Sequence, residues 1–309
     1  MAVPSLKIRT IVRSAQWGAL RTAFRLGSMV APAATARRAA LLFSTPGSAT
    51  RTRARHTAVP EGVRESQLHT RDGIRLRTYV WGDPAREPYV LLAHGWSSHA
   101  TRFAGWITPL RQAGYAVVAF DQPGHGLSEG RRATLPGFVA ALLDVAAHFG
   151  PAAAVIGHSL GGTATALALT RGLVAQRVVL VAPAADPIDA AHRFARVVGM
   201  AEHVCRAMYR WFENRIGISF EELQVHRDAP RIGRPALVVH DLDDREVPWA
   251  EGERLVRHWP HAHLLTTEGL GHNRIVDAPP VLDAALRFLR GGTVGVRVVS
   301  TPNLPFGFA

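Results

Sequence analysis

From about residue 67 the chain alternates short apolar runs with longer, mixed stretches. The runs are Tyr89–Ala93, Ala116–Phe120, Ala153–Ile156, Val178–Val181 and Ala236–Val239, and none shows polar alternation. Uninterrupted apolar strands are expected where helices cover both faces of a parallel sheet. Between them, Leu135–Phe149 carries Leu142, Leu143, Ala146 and Phe149 at helical spacing. Leu68–Tyr79 reads as a hairpin turning at Arg71-Asp72-Gly73. Repeated strand–helix alternation predicts an α/β fold with a doubly wound, mostly parallel sheet. No internal repeat is found. Between Asp186 and Pro235 the alternation lapses into helical sequence rich in His and Arg. This stretch, about 186–234, reads either as a small helical cap over a site or as ordinary surface helices.

The first sixty residues follow a different pattern. Over residues 6–26, Ile8, Ile11, Val12, Ala15, Ala19, Ala23 and Leu26 share one face of a helical wheel. Arg9, Arg13, Arg21 and Arg25 lie opposite, near Trp17. Two readings stand side by side: a helix lying on an anionic membrane surface, or one packed on the α/β domain with its arginines in water. The longest uncharged run in the first forty residues, Leu26–Ala36, is too short to span a bilayer, which takes roughly 20 apolar residues. It also lacks the form of a secretory signal, whereas the Arg-rich, acid-free start is similar to a mitochondrial presequence. Ser44–Pro60, rich in Pro, Gly, Thr and Arg, reads as a linker. The expected organisation is a basic helix and linker at 1–60, an α/β domain at 61–292 and a tail at 293–309.

Charge confirms that division. The formal net charge of the chain is +12, yet residues 1–60 hold Lys7 and nine arginines with no Asp or Glu. The rest therefore carries only +2 (12 − 10), without the concentrated basic stripe of a nucleic-acid binder. A single cysteine, Cys205, excludes an internal disulfide framework and any multi-cysteine metal cluster. A cytoplasmic location is the expectation, peripheral at a membrane if the basic helix binds one.

The chemistry is concentrated in Gly157-His158-Ser159-Leu160-Gly161, which follows the run Ala153–Ile156 and precedes the helix-prone Thr163–Arg171. A G-x-S-x-G is a weak signal alone. Between strand and helix it predicts a sharp turn that lifts the serine hydroxyl above the sheet. A serine hydroxyl needs a base, and His272 follows the strand-like Ala262–Thr267. The base needs a carboxylate, and Asp241, Asp243 and Asp244 follow Ala236–Val239, with Asp186 more distant. The order Ser, Asp, His suits this fold. Backbone amides of Leu160 and Trp96 are the candidate oxyanion donors. No metal-ligand spacing, phosphate loop or dinucleotide fingerprint is present, so no metal or cofactor is expected.

Four blocks in order make the chain similar to the α/β-hydrolase superfamily, and within it to the monoacylglycerol lipase and lysophospholipase-like (serine aminopeptidase S33-type) branch. They are Ala93-His94-Gly95-Trp96, Asp121–Ser128, Gly157–Gly161, and Asp244–Pro248 with Gly271-His272. Ser128–Arg132 also resembles the acylglycerol-lipase branch. The resemblance covers about residues 70–290 and implies Asp244 as the acid. It implies that Asp121–Ser128 shapes a turn, with His125 structural; His94 and His158 read as structural too. The implied activity is cleavage of carboxylic esters, acylglycerol- or lysophospholipid-like, through an acyl-Ser159. Two alternatives stay open: another serine enzyme on this fold (thioesterase, peptidase, acyltransferase or cofactor-free haloperoxidase), or a non-catalytic binding protein.

Overall fold

The computed structural model describes residues 5–298, and their side chains from Trp17 onward. Along the chain, three helices come first: α1 (Ser5–Val30), α2 (Pro32–Phe43) and α3 (Ser48–His56). A hairpin follows, β1 (Val63–His69) and β2 (Arg75–Trp81), then β3 (Tyr89–Ala93), α4 (Ala104–Gln112), β4 (Ala116–Phe120) and α5 (Leu135–Phe149). Next come β5 (Ala152–His158), α6 (Leu160–Leu169), β6 (Ala175–Val181), α7 (Pro187–Val198), α8 (Glu202–Ile216) and the short α9 (Val225–Asp228). The chain ends with β7 (Ala236–Asp241), α10 (Trp249–His258), β8 (Ala262–Thr267), the short α11 (Gly271–Arg274) and α12 (Pro279–Leu289). Among the described residues, no helix is long and apolar enough to cross a membrane.

These elements form two units. The larger, 46–186 with 224–309, holds one eight-stranded sheet in the order β1-β2-β4-β3-β5-β6-β7-β8. β1 and β2, and β2 and β4, pair antiparallel, and every later pair is parallel. Every residue of β3 and β4 is buried, the burial expected of strands covered on both faces. Fully burying each such Val or Leu contributes roughly 1.5–3 kcal/mol. Trp106 and Phe103 close the core on the α4 side, and the Trp106 indole N–H donates to the Val276 carbonyl at 2.8 Å.

The strand order decides where a site can form. From β3 the chain crosses to β4 on one side and then to β5 on the other. That reversal leaves a crevice between the carboxyl ends of β3 and β5, where α/β sheets place their ligands.

Residues 46–60 belong to this unit and are not a linker. Pro46-Gly47 lead into α3, which is tied down by Gly47 N–H to Ser97 Oγ (3.1 Å), Thr50 Oγ1 to the Ser97 carbonyl (3.2 Å) and Arg51 to the Ser128 carbonyl (3.1 Å). Pro and Gly here mark a helix start rather than a free segment. At the other end, Val296 exchanges both backbone hydrogen bonds with Leu264, at 2.7 and 2.8 Å, and so pairs with the outer edge of β8. The rest of the tail, from 299, lies outside the described residues.

The smaller unit, 1–45 with 187–223, is helical. Its core joins Phe24 of α1 and Ala36, Ala39 and Ala40 of α2 to Ala191, Ala195, Val204 and Met208 of α7 and α8. The basic segment therefore packs with the insertion, through a face of α1 different from the one its periodicity singles out. Phe24 and Ser28 are buried, and Leu20 is partly so, while Ala19, Ala23 and Leu26 are exposed. The side chains of Ile8, Ile11, Val12, Ala15, Arg9 and Arg13 lie outside the described residues.

Candidate active site

Ser159 sits between the end of β5 and the start of α6 with φ 53° and ψ −124°, a conformation that strains any residue with a Cβ. The surrounding glycines explain how so sharp a bend fits. A Cβ on Gly161 would lie 2.2 Å from the Ala93 carbonyl oxygen, and one on Gly157 would lie 2.7 Å from Gly162 Cα. A Cβ on Gly95 would meet Ser159 Cβ at 2.8 Å. The elbow is thus pressed against the loop His94-Gly95-Trp96 that leaves β3. Ser159 is held there by its own N–H, which donates to the Val181 carbonyl at 2.9 Å. Among the described residues, the amides of Trp96 and Leu160 have no protein acceptor.

His272 lies on α11, just beyond β8. Its Nδ1 is 2.7 Å from Asp244 Oδ2, and both side chains are almost completely buried. The other oxygen, Oδ1, accepts from the amides of Glu246 (2.9 Å) and Val247 (2.8 Å). Burial pushes the Asp244 carboxyl up, but His240, His272 and the Val247 amide outweigh it and hold the group well below the usual carboxylate range. His240 Nε2 lies 3.5 Å from Asp244 Oδ2 and closer, at 3.0 Å, to the Val247 carbonyl. The ring therefore donates to that carbonyl and acts on the carboxylate through space.

The rival carboxylates are engaged elsewhere. Asp241 accepts from Thr267 Oγ1 (2.7 Å), the amides of Leu270 (3.1 Å) and Gly271 (2.9 Å), and Asp243 N–H (3.0 Å). It thereby ties the end of β7 to the loop carrying His272. Asp243 accepts from the Gly269 amide at 2.9 Å. Asp186 accepts from Gln224 Nε2 at 2.8 Å and lies 3.4 Å from Arg254.

Three further histidines are built into the walls. His94 Nε2 accepts from the Gln122 amide (2.9 Å), which leaves its Nδ1–H to donate to the Gly95 carbonyl (2.8 Å). His125 Nε2 accepts from the Ser97 amide (3.0 Å), and its Nδ1–H donates to the Pro123 carbonyl (3.0 Å). His158 Nε2–H donates to the His272 carbonyl at 3.0 Å, with the two rings 4.9 Å apart. Burial holds all three neutral, with pKa values lowered to about 3. The residue next to Ser159 in sequence thus anchors the backbone of His272. Asp121, buried, accepts from the Ala100 amide (2.7 Å), the Leu127 amide (2.8 Å) and the Tyr79 hydroxyl (3.2 Å), and so braces the Asp121–Ser128 turn.

Two contributors were not legible beforehand. His240 and Arg102 have no motif of their own. Arg102 hydrogen-bonds the Asn273 carbonyl and Asp277, on either side of the turn after His272.

Residues 84–219 match the serine aminopeptidase S33 family. A non-heme chloroperoxidase from Streptomyces lividans is 26% identical over 274 residues, covering 70% of this chain and 96% of that protein. A monoacylglycerol lipase from Mycolicibacterium smegmatis is 38% identical over 100 residues, covering 29% of this chain and 35% of the lipase. Among solved structures, an esterase from Rhodococcus sp. ECU1013 superposes with a TM-score of 0.57 at 20% identity, covering 74% of this chain and 98% of the esterase. That likeness establishes the shared fold. By its strand order and these matches, the chain has the α/β-hydrolase fold and is similar, over residues 84–219, to the serine aminopeptidase S33 family.

Proposed function

We propose that the chain is a serine hydrolase of carboxylic esters. The observation that carries this reading is the strained Ser159 elbow beside His158, whose ring holds the backbone of a histidine already paired with a buried carboxylate. In the mechanism, Ser159 Oγ attacks the acyl carbonyl as His272 Nε2 takes its proton. Asp244 fixes the imidazole with its proton on Nδ1 and stabilises the cation that forms. The Trp96 and Leu160 amides receive the developing oxyanion. Collapse expels the alcohol, which leaves with the proton from His272. Water, deprotonated by His272, then attacks acyl-Ser159 and releases the acid.

Acylglycerol or lysophospholipid-like esters are the proposed substrate class, supported by the local similarity to the Mycolicibacterium smegmatis lipase. Such lipids are reached at a membrane surface, so peripheral membrane contact through the basic N-terminal segment belongs to the same reading. The test is labelling by a fluorophosphonate probe together with hydrolysis of p-nitrophenyl esters of graded chain length. Labelling and turnover should both vanish in Ser159→Ala. Turnover that survives in that variant would overturn the mechanism. A second reading, cofactor-free halogenation, rests on the long match to the Streptomyces lividans protein. Peroxide- and halide-dependent halogenation without ester turnover would favour it.

A further inference from the structure

The uncharged run Leu26–Ala36 makes the corner between α1 and α2. The corner is tight. Ala31 alone separates the helices, Pro32 opens the second, and the Thr35 hydroxyl returns to the Ala31 carbonyl at 2.9 Å. Gly27 is what allows the approach, because a Cβ there would lie 2.5 Å from Thr35 Oγ1. The corner is also anchored within its unit. Ser28 Oγ accepts from the Ala201 amide (3.2 Å), and His203 Nε2 meets the Ser28 carbonyl (3.1 Å).

So rigid a corner leaves its outer side bare. Val30 is 80% exposed, Met29 71% and Leu26 54%, and every residue from Met29 to Ala34 is exposed. Val30 and Met29 are the two most exposed large apolar side chains among the described residues. A contiguous exposed apolar patch on a folded unit marks a surface that meets something less polar than water. Arg25 on α1 and Arg37 and Arg38 on α2 flank it along the chain, all exposed and none in an ion pair among the described residues. Glu202, beside the Ala201 that holds Ser28, is turned to Arg206 (3.2 Å) and His192 (3.6 Å).

We infer that this corner inserts into the interface of an anionic phospholipid bilayer. Leu26, Met29 and Val30 would enter the boundary between headgroups and acyl chains, and the arginines would pair with lipid phosphates. The charge selects the occupant. A second copy would bring the same arginines face to face, whereas an anionic lipid surface neutralises them. The inference rests on the membrane-contact part of the reading above and is independent of the ester chemistry. It moves that contact from the periodic face of residues 6–26 to the corner.

The test is co-sedimentation of the full chain with vesicles of phosphatidylcholine alone or mixed with phosphatidylglycerol. Three proteins are compared: parent, Met29→Glu/Val30→Glu and Ile8→Glu/Ile11→Glu. Circular dichroism and thermal melting check that the exposed corner changes leave folding intact. The parent should bind mixed vesicles at least about tenfold more tightly than neutral ones, and less tightly as salt rises. The corner variant should lose about tenfold or more. If only Ile8→Glu/Ile11→Glu loses binding, the membrane reading stands and the corner assignment falls. No binding by the parent sinks both, while leaving probe labelling of Ser159 untouched. A parent that sediments as a dimer, with a monomeric corner variant, would overturn lipid insertion in favour of self-association.

Discussion

Asp244 uses its two oxygens for different tasks: Oδ2 lies 2.7 Å from His272 Nδ1, and Oδ1 is held by the amides of Glu246 and Val247. The turn after β7 thus fixes the carboxylate from one side and leaves the other free for the imidazole. Asp244→Asn should keep much of the fold yet present an amide N–H where His272 needs an acceptor. A drop in kcat of about ten-thousand-fold is expected if the wrong tautomer is imposed. A loss of less than about tenfold, measured on the best ester, would remove Asp244 from the mechanism.

The same carboxyl links stability to pH. Its folded pKa is depressed below the ordinary 3.8, so its contribution is fully present above pH 3.8 and is lost as pH falls through the folded value. Chemical denaturation should show parent and Asp244→Asn converging in stability below that pH. A constant gap down to strong acid would contradict the assignment.

Buried neutral histidines add a second acid sensitivity. Unfolded, His94, His125 and His158 take up protons near pH 6.5, but folded they resist to about 3. Between those values the unfolded state binds more protons, so stability falls as pH falls. His125→Gln keeps one donor and one acceptor while removing one titrating group. Its stability should depend on pH less steeply, by about 1.4 kcal/mol per pH unit in that window. An unchanged slope would show that His125 does not titrate as inferred.

Backbone strain at Ser159 separates two inactive variants. Glycine adopts φ 53° and ψ −124° without strain, whereas alanine, like serine, is strained there. Strain of this kind costs about 1–3 kcal/mol, reduced by the greater freedom of glycine in the unfolded chain. Ser159→Gly should therefore melt above Ser159→Ala, by about 1 kcal/mol in stability. Equal melting would mean that the elbow is relaxed.

Asp241 positions His272 from a distance. Asp241→Ala strands the Leu270 and Gly271 amides and the Thr267 hydroxyl, at a cost of about 1–3 kcal/mol per group left buried and unpaired. Activity should fall through a smaller fraction of correctly placed His272, with KM nearly unchanged. Probe labelling of Ser159 should slow in parallel. A variant with normal labelling and normal melting would remove Asp241 from this role.

The parallel sheet was readable because its strands are buried on both faces, which forces continuous apolar runs with sharp ends. Tyr89–Ala93 and Ala116–Phe120 coincide with β3 and β4 residue for residue. The elbow was readable as well, because close backbone approach tolerates only glycine at Gly157 and Gly161. Which aspartate meets His272 was not. Asp241, Asp243 and Asp244 lie within four residues, and only the folded turn aims one carboxylate at the imidazole and the others at loop amides. Nor could periodicity find the packed face of α1. Phe24 and Ser28 are buried by α7, α8 and the residues joining them, far along the chain, while Ala19, Ala23 and Leu26 of the face that periodicity singles out are exposed. Local patterns record what every turn of a helix or strand must satisfy on its own. Which surfaces meet depends on partners brought together only when the whole chain folds.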